Sequence, residues 1–214
     1  VLLDRQLARF AGIDSTAIRY RRLDASHGAR LDSGLATLET FADRLAFVRP
    51  PFDLANVAAA ADAFDAGLLL LDYAQRIAPP GEHADRRNSV NALMDYLRQF
   101  ADAGVAVLVV AAVGRTKDKA GRSSYAGDGL NLASFRESSE LEFGADDAFI
   151  LAPTDEPPKS GTVGVTLKHL KARYSEPKDL LLDFHRPTQR FTVRPDATEW
   201  KPRGGAPAYA SADQ

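Results

Sequence analysis

The chain has 214 residues, no cysteine, 45% hydrophobic and 26% charged residues, and a formal net charge of -2. That is enough chain for one sizeable core of ordinary globular composition. It excludes disulfides, thiolate metal sites and a globally basic nucleic-acid binder, and no membrane-spanning run or signal peptide can be read in it.

From Val1 to Leu23 apolar residues recur at helical spacing (Leu3, Leu7, Phe10, Ile18), and Asp14-Ser15-Thr16 reads as an N-cap. Two short helices joined near Gly12 are expected, with Arg19, Arg21 and Arg22 on a solvated face. A further helix follows Asp32-Ser33, and Leu45 to Arg49 reads as a short strand stopped by Pro50-Pro51. Asp53 then caps an alanine-rich helix to about Phe64.

The run Gly67-Leu68-Leu69-Leu70-Leu71 is too short to span a membrane. Its uniformity predicts a central parallel strand covered on both faces. Asn88 to Ala103 is amphipathic, Gly104 ends it, and Val105 to Ala112 reads as a second buried strand. Gly114 to Leu132 is a polar, cationic loop. Phe135 to Phe143 reads as a short helix and Asp147 to Leu151 as a strand. Val163/Val165/Leu167 and Leu180/Leu182/Phe184 alternate as an antiparallel pair, and Gln189 to Val193 adds an edge strand. From Arg194 to Gln214 Pro, Gly, Ala and Ser dominate, which predicts a disordered tail after a domain spanning 1–193.

Asp72 stands where a parallel strand delivers its carboxyl end to a ligand crevice. A carboxylate there commonly holds hydrated Mg²⁺ against nucleotide phosphates; the plain alternative is an Asp that caps the next turn. Histidines 27, 83, 169 and 185 are scattered without metal-ligand spacing.

Three segments carry a resemblance to the DnaB-type hexameric replicative helicases, which are RecA-like motors. Asp72-Tyr73-Ala74-Gln75 resembles their D-Y-x-Q. Phe135 to Asp146 resembles their D-L-R-E-S-G-S-I-E-Q-D-A-D, matching at Arg136, Glu137, Ser138, Leu141, Glu142, Ala145 and Asp146, with Ser139 in place of Gly. Lys171-Ala172-Arg173 resembles their K-x-R, which follows a strand and precedes a closing one. The resemblance implies an α/β, RecA-like domain: a mostly parallel central sheet flanked by helices, with antiparallel strands toward the C-terminus. It implies Asp72 as the Mg²⁺ ligand, Gln75 beside it, and Lys171 and Arg173 reaching the γ-phosphate of a neighbouring subunit's ATP. It implies single-stranded DNA contacts by Arg136, Glu137 and Ser139. The cationic residues Arg115, Lys117, Lys119 and Arg122 would line the DNA channel, or simply form a solvated loop. A homo-oligomeric ring, a hexamer, with a primase or other replication protein as partner would follow, in the cytoplasm.

Two features depart from the pattern. No G-x-x-x-x-G-K-[ST] occurs, so the phosphate-cradling loop is absent. The chain opens on Val1 and its one methionine is Met94, so that loop is expected upstream in a parent protein, and the chain alone is expected to be inactive. The second strand ends in Ala111-Ala112 where the family has a polar phosphate sensor. Other readings are a non-hydrolysing RecA-like module for nucleic-acid binding or assembly, and a RecA/RadA-type recombination ATPase.

Overall fold

The computed structural model describes residues 2–81, 86–112, 116–117, 123–124 and 144–194. The chain begins with helix α1 (Leu2–Ala11) and, after the Gly12 turn, helix α2 (Ser15–Arg19). Asp14 caps α2 as expected, its carboxylate accepting the Thr16 N–H at 2.7 Å. Helix α3 (Gly28–Glu39) starts before Asp32, because an upstream cap shapes the chain first. Asp24 accepts the Ser26 N–H at 2.8 Å, while the Asp24 N–H donates to His27 Nδ1 at 3.2 Å. Helices α1 and α3 meet at Gly34, where an added Cβ would lie 3.0 Å from the Ala11 backbone nitrogen.

The expected strand at Leu45 to Arg49 does not form. Asn56 Nδ2 donates to the carbonyls of Arg49 and Pro51, both at 2.7 Å, so the carbonyls around Pro50 are tied to the following helix, not to a neighbouring strand. That helix is α4 (Leu54–Ala63), capped by Asp53, which accepts the Asn56 N–H at 2.8 Å.

Strand β1 (Leu68–Asp72) pairs in parallel with β2 (Ala106–Val110), Leu68 opposite Ala106 and Asp72 opposite Val110. Helix α5 (Arg86–Asp102) makes the crossover that parallel pairing demands. It ends at Gly104, whose φ of 91° is one that L side chains rarely adopt. Leu69 and Leu71 pack on Leu54 and Val57 of α4 and on Leu93 and Leu97 of α5. All of this lies on one face. Leu68 and Leu70 are 58% and 56% exposed, so among the described residues β1 is covered on one side, not two. A uniformly apolar strand states what it can bury, and neighbouring elements decide what it does bury.

The larger sheet is antiparallel: β5 (Asp147–Pro153), β6 (Thr162–Ala172), β7 (Leu180–His185) and β8 (Arg190–Val193), in that order. Among the described strands the parallel share is therefore the smaller one, because turns join β5 to β8 while only β1 and β2 are separated by a helix. Ser15 N–H donates to Pro187 O at 2.7 Å, tying the first helices to the β7–β8 turn. Within the expected cationic loop, β3 (Thr116–Lys117) and β4 (Ser123–Ser124) form a short antiparallel pair. Arg194, expected to open the tail, is anchored by Glu156 at 2.9 and 2.8 Å and by Asp183 at 2.9 Å.

Candidate functional site

Strand β1 delivers Asp72 to its carboxyl end, exposed, with a cis peptide to Tyr73. Its carboxylate stands open to solvent at the strand end. Gln75 follows in a single 3-10 turn (Ala74–Arg76) and its amide meets the end of β2 twice. Its Oε1 accepts the Ala112 N–H at 3.2 Å and its Nε2 donates to Ala112 O at 3.4 Å. The side chain thus joins the two strand ends through the backbone of the residue that stands at the expected polar sensor position. Tyr73 and Arg76 close the turn, with Arg76 Nε donating to Tyr73 Oη at 3.3 Å.

Lys171 and Arg173 lie on the other sheet. A bulge precedes them: Phe149 pairs with His169 and Ala148 with Lys171, leaving Leu170 as the extra residue. Bulges of this kind re-aim the side chains that follow. Lys171 belongs to the last rungs of β6, while Arg173 lies just beyond and is held by its N–H to Asp146 O at 2.9 Å. Its Nη1 lies 2.6 Å from Asp146 Oδ1, and Arg98 Nη1 lies 3.6 Å from Asp146 Oδ2. Asp146 Oδ1 is buried and meets no donor with hydrogen-bond geometry, so the short contact to Arg173 is a charge contact more than an aligned fork.

Behind this end sits His169, 8% exposed and stacked on Phe149 at 4.2 Å. Its Nδ1 accepts the Lys178 N–H at 3.2 Å, which puts the proton on Nε2, and Nε2 donates to Asp147 Oδ1 at 2.9 Å. Its own N–H donates to Asp179 Oδ1 at 2.9 Å. His169 therefore ties the far end of the turn after Arg173, at Lys178 and Asp179, to β6 and to Asp147 of β5. The scattered spacing of the histidines along the chain gives no sign of the two ring partners. Neither Arg98 nor the contact made by Asp146 is signalled by the sequence, although Asp146 belongs to the segment that resembles the helicase family.

The four expected catalytic residues thus divide into two groups, Asp72 with Gln75 and Lys171 with Arg173. Arg115, Lys119, Arg122, Arg136, Glu137 and Ser139 lie outside the described residues, as does the helix expected at Phe135 to Phe143; Lys117 falls in β3. Among the described residues no cluster of His, Cys, Asp or Glu could hold a metal ion by itself, and no helix is long and apolar enough to cross a membrane. A groove of about 390 Å³, lined by Arg9, Thr162, His185, Thr188 and Arg190 among others, touches none of the expected site residues and belongs to neither group.

The helix-covered parallel pair and the antiparallel sheet belong to a fold that this chain shares with solved helicase structures. The chain is similar to the solved structure of a DnaB-like replicative helicase described with its interactions with primase. That match has a TM-score of 0.73 at 17% identity, over 88% of this chain and 46% of that one. It is also similar to a second solved ATPase domain, with a TM-score of 0.66 at 17% identity, over 88% of this chain and 68% of that one. The chain therefore spans less than half of the first helicase. No family model and no curated protein matches it.

Proposed function

We propose that this chain is part of the motor of an ATP-dependent DNA helicase, which couples ATP hydrolysis to single-stranded DNA movement through a homo-oligomeric ring. The observation that carries the reading is Asp72, exposed at the carboxyl end of β1 in a chain with the fold of helicase ATPase domains. Asp72 would hold Mg²⁺ with ATP, and the bound ion would supply charge neutralisation for phosphoryl transfer. Lys171 and Arg173, on a separate sheet, would serve the neighbouring subunit's nucleotide, since a head-to-tail ring joins unlike faces. Arg173 is the stronger candidate of the two, because a guanidinium can fork onto two phosphate oxygens. Gln75 would act as a link between strand ends more than as a reacting group, given its two hydrogen bonds to the Ala112 backbone. The open apolar face of β1 and β2 supports further chain packing there, which in this reading includes the P-loop segment. A hexamer and a primase partner complete the reading.

A non-hydrolysing module of the same fold is the second reading, favoured by Ala112 and by the engaged Gln75. The two separate cleanly. In the parent ring Arg173→Ala should lower ATP turnover by on the order of 10³ while leaving ATP binding intact. Mixing it with an inactive P-loop variant should restore part of the activity, because some interfaces then combine two sound halves. Near-normal turnover by Arg173→Ala alone would hand the case to the non-hydrolysing module.

A further inference from the structure

We infer that Asp146 is a positioning residue for Arg173, holding the guanidinium in the direction from which it meets the neighbouring nucleotide. The inference rests on the reading of Arg173 as an arginine acting across the subunit interface. It starts from the backbone: the Arg173 N–H to Asp146 O bond of 2.9 Å fixes the two residues side by side at the end of the β5–β6 ladder. Their side chains then meet at 2.6 Å between Nη1 and Oδ1. Arg98, reaching from α5, lies 3.6 Å from the other carboxylate oxygen and also donates to the carbonyl of Gly144. Asp146 is therefore anchored from both sides, by a helix and by a strand end.

Stability is a poor explanation for this arrangement. The side chains of Arg98, Arg173 and Asp146 are 38%, 37% and 41% exposed, and half-exposed ion pairs contribute little to folding. Aim is a better one. An arginine just past the end of a strand has many rotamers, and a transition-state contact made by a free side chain must first order it. A carboxylate placed on Nη1 removes much of that freedom in advance. A phosphate needs only the two N–H groups of one guanidinium edge, so a contact through Nη1 is compatible with a fork made elsewhere on the same group. The charge-type contact at Oδ1 also suits a guide better than a lock, since it tolerates small changes in direction.

The test is steady-state ATP turnover by the parent ring. Asp146→Ala should lower kcat by about tenfold to a hundredfold, with KM for ATP changed by less than about twofold and the melting temperature kept. Asp146→Asn, of the same shape, should show a similar loss, which covers the case in which the alanine variant folds poorly. Asp146→Glu should recover part of the rate. In an Arg173→Lys background, Asp146→Ala should cost no more than about twofold, because its route of action is already damaged. Unchanged kcat in both Asp146 variants overturns the inference. So does an equal loss with and without Arg173→Lys. Full turnover by Arg173→Ala would remove the reading beneath it, and the inference would fall with that reading.

Discussion

Replacing His169 by alanine tests whether the β6 end is held as the geometry indicates. The substitution leaves the Lys178 N–H without its acceptor, and an unsatisfied, partly buried donor costs roughly 1–3 kcal/mol. It also deletes the ring stacked on Phe149 at 4.2 Å, an arrangement that contributes about 0.5–1.5 kcal/mol beyond area burial. Asp147 loses a donor as well, but its side chain is 47% exposed and water replaces the bond. The expected loss is roughly 2–4 kcal/mol in urea unfolding followed by circular dichroism, seen as a lower midpoint at unchanged slope. His169→Phe keeps the stack and loses only the hydrogen bonds, so it should lose roughly 1–3 kcal/mol. Amide exchange at Lys178 should accelerate in both variants. A loss under about 1 kcal/mol for His169→Ala, or a phenylalanine variant as stable as the parent, would refute the assigned tautomer and the fastening role.

Gly34→Ala should destabilise the α1–α3 crossing by about 1–2 kcal/mol, although alanine is the better helix former by about 1 kcal/mol. The new methyl meets Ala11 backbone atoms at 3.0 Å and those cannot yield cheaply; a gain in melting temperature would show that the helices can part. In the parent ring, Arg136→Ala should weaken single-stranded DNA binding regardless of base sequence. It should lower the slope of log K against log salt by about 0.7, and an unchanged slope at normal folding would return Arg136 to an ordinary surface role.

Local chemistry was legible where the cause is local. Asp14 and Asp53 cap the helices they precede, Gly104 ends α5, and the alternating apolar residues of β6 and β7 pair as antiparallel strands. Each depends on a few neighbouring atoms, and the residue types announce it. The placement of Asp72 at the end of β1 was legible for the same reason, since an apolar run followed by an acid fixes both the strand and its terminus.

Long-range pairing was not. Leu45 to Arg49 has strand-forming residues, yet Asn56 takes the carbonyls of Arg49 and Pro51 and no ladder forms. Leu68 and Leu70 are as apolar as Leu69 and Leu71, and only the position of α4 and α5 decides which pair is buried. Gln75 meets Ala112 across 37 residues, and Arg98, Asp146 and Arg173 converge from a helix, the residue before β5 and the end of β6. Composition and spacing determined most of the longer strands, the caps and the acid that ends β1. Which polar groups face one another across those elements was decided by the tertiary structure alone, because a side chain's partner is set by distance in space and periodicity speaks only of distance along the chain.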